Sequence, residues 1–216
     1  IPDYLLAQGE IYAEMVRNGN LFDKDKVLST GYPYLQQILQ EKKQDSHLKE
    51  SSSPFPHTIL FTSQWIVAKE IQDFMIRVAD HLEQHHINVG ILFKPHPYDT
   101  TTYTNLQNKH IILIDKYEDI FQLFTIADIH ATVYSTSGLE AMAFSIPNIF
   151  VDLYDIAPKT EAPYLVHSPA EFIKSVTAIL AHYQDAVAET KATADLFFTP
   201  SPEKHFKKFF TDLKIL

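Results

Sequence analysis

The chain has 216 residues, a formal net charge of −9, no cysteine and 45% hydrophobic residues. This composition supports a real hydrophobic core and excludes a disordered chain, a disulfide-stapled scaffold, a thiolate zinc site and a cysteine nucleophile. An acidic surface repels nucleic acid and anionic lipid, so we predict no nucleic-acid partner. No apolar run is long enough for a membrane span, and the first residues do not have the pattern of a signal peptide. The expected compartment is the cytoplasm, with membrane association of a full-length enzyme left open.

The first 38 residues predict a small strand–helix–strand unit. A short apolar run ends at Ala7, apolar residues then recur at helical spacing, and Asn18-Gly19-Asn20 ends the helix. A second strand is predicted over residues 26–30. This unit is too small to bury its own faces. The chain also opens at Ile1, inside a structured-looking segment, so we expect it to be part of a longer protein.

Residues 39–56 differ in composition from the segments on either side. They are polar and charged, contain four serines and two prolines, and lack helical or strand periodicity. Such a stretch is typical of a linker or surface loop. The main domain is therefore predicted over residues 57–216.

From residue 57 apolar runs alternate with helical patterns. Helices are predicted from Trp65 to about His86, around Ile120, and from Gly138. Strands without polar alternation, separated by helices, indicate a parallel sheet covered on both faces. The predicted fold is a doubly wound, Rossmann-like α/β sheet. The strand runs are HTILFT, VGILFK, HIILID, IHATV and NIFVDL.

The end of the chain predicts a helical tail. Ser168-Pro-Ala-Glu171 places an N-cap, a first-turn proline and the glutamate of a capping box in order. Ser201-Pro-Glu repeats the cap and proline before HFKKFF, which we interpret as an amphipathic docking helix rather than a membrane patch.

Ligands of open parallel sheets bind beyond the carboxyl ends of the strands. Right-handed crossovers would bring the residues that follow four predicted strands to one edge of this sheet. These residues are Ser63 and Gln64, the KPHP sequence from Lys94, the segment 115–119, and YSTSG at 134–138. Their convergence predicts a site.

The sequence YSTSGLEA allows two interpretations. A helix that begins near Gly138 leaves its first N–H groups unpaired, the glycine lets an oxyanion approach, and Ser135, Thr136 and Ser137 add donors. This would make a phosphate site. Alternatively, Ser137 and Glu140 form a capping box, which satisfies the helix start without a ligand.

The KPHP sequence is the second candidate element. Lys94 offers a cation and His96 a donor, and both could face a diphosphate in an otherwise acidic chain. An ordinary exit from a strand into a loop is the alternative. Glu140 could serve either as a cap or as an acceptor for ribose hydroxyls.

Several other residues carry weaker signals. His81 and His85 have the i, i+4 spacing of a metal site but lack a carboxylate in the right order, so we interpret them as a solvated face and predict no metal. Asp99, Asp152 and Asp155 are interpreted as turn residues. The motifs of P-loop proteins, ordinary dinucleotide-binding domains and α/β-hydrolases do not occur.

The segments ILFTSQW, ILFKPHP and FQLFTIADIHATVYSTSGLEAMAFSIPNIFV resemble the C-terminal, nucleotide-sugar-binding domain of GT-B-type enzymes. The closest kinds are bacterial surface-polysaccharide glycosyltransferases, capsule-synthesis proteins and poly(glycerophosphate) transferases. The opening 38 residues are similar to the last βαβ unit of the preceding half of such enzymes. The resemblance covers most of the chain.

The resemblance implies a site and its partners. The donor would be a nucleotide-activated sugar or polyol, with no separate cofactor and no metal. The acceptor, a glycan or lipid-linked glycan, and the general base would come from the preceding half. Lys94 and His96 would stabilise the leaving diphosphate, and no catalytic residue is otherwise assigned. The implied site residues are Ser135, Thr136, Ser137 and Gly138 at the phosphates, Glu140 at the ribose, Ser63 and Gln64 in the first loop, and Lys116, Tyr117 and Asp119 near the base.

Two departures from the family pattern narrow the function. Many relatives have glycine where this chain has Ser145, and the glycine doublet of the UDP-GlcNAc 2-epimerase type is missing beside Ser137. The favoured function is the donor-binding domain of a surface-polysaccharide glycosyltransferase or polyol-phosphate transferase. A GT-B epimerase and a non-catalytic α/β binding domain remain as alternatives. Alone, the chain is expected to bind donor weakly and to catalyse nothing.

Overall fold

The structure is a computed structural model that describes residues 2–20, 22–42, 54–103, 106, 108–154 and 164–214. Two parallel sheets lie in this part of the chain. The first has two strands, and the second has six.

The first unit has the predicted strand–helix–strand form. Strand β1 (Leu5–Ala7) pairs in parallel with β2 (Val27–Ser29), and α1 (Glu10–Asn18) joins them. A small apolar cluster around Ala13 holds the helix against the two strands. Asn20 takes the left-handed conformation (φ 52°) after the helix, as the Asn-Gly-Asn signal predicts.

Helix α2 (Pro33–Lys42) follows this unit and was missed by the sequence analysis. Leu35 and Ile38 are its buried residues, so tertiary packing stabilises a segment whose periodicity is weak. The linker predicted over residues 39–56 is therefore wrong for residues 39–42, which are helical. Residues 43–53 of that linker lie outside the described residues.

The main sheet is parallel throughout, with the strand order β5-β4-β3-β6-β7-β8. The doubly wound fold is confirmed. The last strand, β8, was not predicted. The strands are β3 (His57–Thr62), β4 (Val89–Lys94), β5 (Ile111–Leu113), β6 (Ile129–Thr132), β7 (Asn148–Val151) and β8 (Tyr164–Val166).

Helices cover both faces of this sheet. On one face Phe61 and Phe93 pack with Phe172, and on the other Leu60 packs with Leu123. Successive residues of β3 thus point to opposite cores, which explains its unbroken apolar sequence. The helices are α3 (Ala68–Gln84), preceded by one 3-10 turn, α4 (Ile120–Phe124), α5 (Thr136–Ala143), α6 (Pro169–Ala181), α7 (Tyr183–Phe197) and α8 (Pro202–Asp212).

The helical tail is confirmed, but only one of its two predicted caps forms. The Ser168 hydroxyl accepts from the Glu171 N–H (3.3 Å), and the Glu171 carboxylate accepts from the His167 N–H (2.7 Å). Ser201 does not cap α8, since its left-handed backbone (φ 55°) differs from the extended conformation of an N-cap. Helix α8 docks on the first unit through an edge-to-face contact of Phe209 with Tyr4 (5.2 Å between ring centres).

None of the helices in the described ranges is both long and apolar enough to cross a bilayer.

Candidate functional site

The strand order reverses between β3 and β6, because the chain proceeds from β3 to β4 and β5 on one side and from β6 to β7 and β8 on the other. Such a switch point opens a crevice at the carboxyl ends of the two central strands. The predicted site residues that follow β3, β4 and β6 therefore lie at this crevice or beside it.

Hydrogen bonds tie the loops around the crevice together. Gln64 Nε2 donates to the Tyr134 carbonyl oxygen (2.7 Å), which joins the loops after β3 and β6. The Ser63 N–H donates to the Lys94 carbonyl oxygen (2.9 Å), which joins the ends of β3 and β4. The buried Ser63 hydroxyl lies beside the Tyr103 hydroxyl, whose pKa is raised mainly by burial. The loop residues are held in place before any ligand arrives.

Helix α5 begins at Thr136, not at Gly138 as predicted. Ser135 is its N-cap, and the Ser135 hydroxyl accepts from the Ser137 N–H (3.2 Å). The predicted capping box of Ser137 with Glu140 is wrong, because Ser137 already lies inside the first turn. Its buried hydroxyl instead meets Thr62 Oγ1 at 3.0 Å.

Gly138 packs closely against β7, and its predicted role of admitting an oxyanion stays a prediction. A Cβ atom on this residue would lie 2.7 Å from Phe150 Cζ and 2.9 Å from Asn148 Nδ2, so its missing side chain faces β7. Its N–H donates to the Ser135 carbonyl oxygen (3.0 Å). Among the four predicted phosphate residues, half-buried Ser135 and exposed Thr136 retain access to solvent.

Replacing Ser135 with alanine tests the cap assignment. We expect a loss of about 1 kcal/mol in the free energy of unfolding, since the hydroxyl acceptor for the first turn disappears. Urea denaturation of Ser135→Ala measures this loss, and Thr136→Ala is the control because its exposed side chain does not cap. Equal stability of the two variants would contradict the assignment.

Lys94 is a buried cation beneath the loop that follows β5. Lys94 is the last residue of β4 and is 6% exposed. Its Nζ donates to the Lys116 carbonyl oxygen (2.7 Å). Burial lowers the pKa of Lys94, while the carboxylates of Asp115, Glu118 and Asp119 raise it. The predicted role of Lys94 as a cation for a phosphate stays a prediction.

His96 is half-buried, and its tautomer is set by the backbone. Nδ1 accepts from the Tyr98 N–H (3.1 Å), so the neutral ring carries its proton on Nε2. The ring lies beside that of Tyr98, with 5.5 Å between centres. His96 can therefore donate through Nε2, as the predicted role at the phosphates requires.

The residues predicted near the base form a loop with its own internal bonds. Lys116 Nζ donates to the Asp99 carbonyl oxygen (2.8 Å) and lies 5.3 Å from the ring centre of Tyr117. The Tyr117 side chain is 76% exposed. Asp119 caps α4 by accepting from the Phe121 N–H (3.0 Å) and pairs with Lys42 (3.1 Å). Asp119 thus has a structural role, while Tyr117 offers an exposed ring.

Glu140 lies on the second turn of α5. Its side chain is partly buried, and burial raises the pKa of its carboxyl. It does not act as the predicted cap. The role of Glu140 as an acceptor for ribose hydroxyls stays a prediction.

The residues that sequence analysis set aside have ordinary roles. His81 and His85 have ring centres 6.0 Å apart, and no group of three or more potential metal-binding residues occurs in the described part of the chain. Asp99 accepts from the Thr101 N–H (2.8 Å) and the Tyr103 hydroxyl, and Asp152 accepts from the Tyr154 N–H (3.3 Å). Asp155 lies outside the described residues.

A buried polar chain that was not predicted from the sequence runs from β7 to α5. Asn148 Oδ1 lies 2.6 Å from His130 Nδ1, His130 Nε2 lies 3.0 Å from Thr62 Oγ1, and Thr62 Oγ1 lies 3.0 Å from Ser137 Oγ. We call these four residues the buried polar chain. Burial lowers the pKa of His130 to about 4, against the hydrogen bond to Asn148, so the ring is neutral at pH 7. The sequence signal that could have predicted this buried polar chain is the presence of a histidine and an asparagine within otherwise apolar strands.

Comparison with solved structures identifies the fold as that of GT-B enzymes. The chain is 20% identical to a variant of the wall teichoic acid polymerase TagF soaked with CDPG, with a TM-score of 0.61 over 98% of this chain and 56% of that one. It is 17% identical to the UDP-GlcNAc 2-epimerase of Neisseria meningitidis bound to UDP-GlcNAc, with a TM-score of 0.69 over 98% and 62%. For MnaA of S. aureus with UDP, the identity is 12% and the TM-score 0.66 over 99% and 60%.

The chain therefore spans between 56% and 62% of the length of these solved relatives. No curated protein matches it by sequence. The family model for CDP-glycerol:poly(glycerophosphate) glycerophosphotransferases matches residues 2–206, which is nearly the whole chain. The chain thus belongs to this transferase family and has the GT-B-like, Rossmann-type architecture.

Proposed function

We propose that this chain binds the nucleotide of an activated donor for a transferase that makes surface polysaccharide of the teichoic acid kind. The observation that carries the proposal is the crevice between β3 and β6, where linked loops place buried Lys94, the Nε2–H tautomer of His96 and the first turn of α5 at neighbouring strand ends. The family description favours CDP-glycerol as the donor.

The chemistry of such a donor requires positive charge at the nucleotide phosphates. Transfer of glycerophosphate from CDP-glycerol to an acceptor hydroxyl breaks the bond between the two phosphates and releases CMP. Transfer of a sugar would instead break the sugar–phosphate bond and release a nucleoside diphosphate. In both reactions negative charge develops on the nucleotide side, where Lys94 and His96 would stabilise it without a metal.

The remaining site roles follow the family pattern. Ser135 and Thr136, near Ser63 and Gln64, would donate to phosphate oxygens, Glu140 would accept from the ribose, and the Lys116–Asp119 loop would contact the base. The exposed Tyr117 ring offers a surface on which a base can stack. Ser137 and Gly138 would instead hold the first turn of α5 in place.

The domain organisation is part of the proposal. Residues 1–38 would end a preceding acceptor-binding half, and residues 57–216 would form the donor-binding domain. The acceptor, a glycan or lipid-linked glycan, and the general base would then come from that half. We expect this chain alone to bind nucleotide weakly and to transfer nothing.

Nucleotide titration of the 216-residue chain tests the site. We expect thermal shift and calorimetry to detect saturable binding of CDP or CMP in preference to UDP and GDP. Lys94→Met removes the cation while keeping the length of the side chain, so the Kd should rise about tenfold or more. Lys109→Met is the control, because its exposed side chain pairs with Glu83 away from the crevice.

Two outcomes would contradict the proposal. If no nucleotide binds at millimolar concentration, the chain has no donor site of its own. If Lys94→Met binds as tightly as the unaltered chain, the site lies elsewhere. Product analysis of a longer protein that includes the preceding half would separate a transferase from an epimerase, since an epimerase needs no acceptor.

A further inference from the structure

The buried polar chain links four elements that are far apart in sequence. Asn148 lies on β7, His130 on β6, Thr62 at the end of β3 and Ser137 in the first turn of α5. All four residues are buried, and His130 is 0% exposed. Hydrogen bonds depend on direction and distance more sharply than apolar contacts do. The buried polar chain therefore restricts the position of the first turn of α5 relative to the end of β3.

The protons available to the four side chains determine which atom donates and which accepts at each bond of the buried polar chain. With Asn148 Oδ1 facing the ring at 2.6 Å, His130 Nδ1 carries the proton and neutral Nε2 must accept. Thr62 has a single hydroxyl proton, which it donates to Nε2 at 3.0 Å. Thr62 Oγ1 therefore accepts the hydroxyl proton of Ser137. Ser137 has no hydroxyl proton left for a phosphate, which separates its role from those of Ser135 and Thr136.

We propose that His130 is a positioning residue for the donor site: through Thr62 and Ser137 it holds the first turn of α5 at the carboxyl end of β3. This inference rests on the proposed function, because the first turn carries the residues that would meet the phosphates. A displacement of this turn by a fraction of an ångström would lengthen the hydrogen bonds to the ligand. An apolar residue at position 130 would fill the same space without fixing this register.

Matched variants separate positioning from stability. Thr62→Val keeps the shape of the side chain and breaks the buried polar chain. Thr190→Val is the control, because Thr190 on α7 is also fully buried and its hydroxyl has no partner among the described residues. His130→Leu removes both ring hydrogen bonds, whereas His130→Gln keeps one polar group near the position of Nε2.

Calorimetry with CDP, at a temperature where every variant is folded, is the first measurement. We expect the Kd to rise about fivefold or more in Thr62→Val and His130→Leu, less in His130→Gln, and not at all in Thr190→Val. If the unaltered chain binds CDP and Thr62→Val and His130→Leu bind it equally well, the inference is overturned while the proposed function stands. If the unaltered chain binds no nucleotide, the proposed function fails and the inference fails with it.

The imidazole ¹⁵N spectrum of the free protein provides a readout without ligand. We expect His130 to be neutral at pH 7, protonated at Nδ1, and with an Nε2 resonance that shifts when Thr62→Val removes its donor. A charged ring, or one protonated at Nε2, would reverse the proton count and overturn the inference.

Discussion

Gly9→Ala is expected to destabilise the folded chain by about 3 kcal/mol or more. A Cβ atom on Gly9 would lie 2.0 Å from the Phe197 carbonyl oxygen and 2.6 Å from that of Leu196. Both are backbone atoms at the end of α7, so no side chain can rotate away. The first unit and α7 must move apart, and the nearby bond from the Thr199 N–H to the Gln8 carbonyl oxygen (2.8 Å) would break with them.

Urea denaturation measures this loss, and Gly19→Ala is the matched control at the other end of α1. Gly19 is exposed and has an ordinary helical backbone (φ −71°), so alanine there should change the stability little. Amide hydrogen exchange should show that β1 and β2 lose protection in Gly9→Ala before β3 and β4 do. Equal stabilities of the two variants would show that Gly9 does not touch α7.

His130 is expected to make the fold sensitive to mild acid. Its pKa is about 4 in the folded chain, because of burial, against an ordinary value of 6.5. Below pH 6.5 the unfolded chain binds a proton at this histidine, whereas the folded chain does not until the pH approaches 4. The contribution of neutral His130 to the free energy of unfolding is therefore fully present above pH 6.5. It decreases as the pH falls and is constant again below about pH 4. The contribution lost is about 2 kcal/mol at pH 5 and approaches about 3 kcal/mol at lower pH.

Urea denaturation at pH 7.5 and pH 5.0 isolates this effect when it is compared between proteins. His130→Gln cannot titrate at this position, so its stability should fall by about 2 kcal/mol less between the two pH values than that of the unaltered chain. His205→Gln, at an exposed position on α8, should keep the full pH dependence. An identical pH dependence in His130→Gln and the unaltered chain would mean that His130 is not buried as a neutral ring.

Unbroken apolar runs were sufficient to predict most of the fold. The runs that became β3, β4 and β7 have no polar alternation, since helices cover both of their faces. Helix α2 and strand β8 escaped prediction for a common reason. Each is held by contacts with distant parts of the chain, α2 through Leu35 and Ile38 and β8 through pairing with β7, and local periodicity does not record such contacts.

The start of α5 shows how a local rule can misplace a residue. Ser135 and Ser137 are both plausible caps in the sequence, and Ser137 has a glutamate at the right spacing. The structure selects Ser135, because Ser137 is needed two residues later, inside the helix, as the partner of Thr62. Capping preferences alone therefore cannot show which of two serines is the N-cap, because one of them hydrogen-bonds to a residue of a neighbouring strand.

The amino-acid sequence by itself determined that this protein is a parallel α/β domain and which residues follow its strands, since both depend on patterns within a few residues. Only the tertiary structure decided which strands are neighbours. The pairing of β3 with β6 brings Thr62 to His130, across 68 positions of the chain. Nothing in the sequence indicates that a histidine within one strand contacts a threonine at the end of another. The contact exists only because the sheet places the two side chains at hydrogen-bond distance.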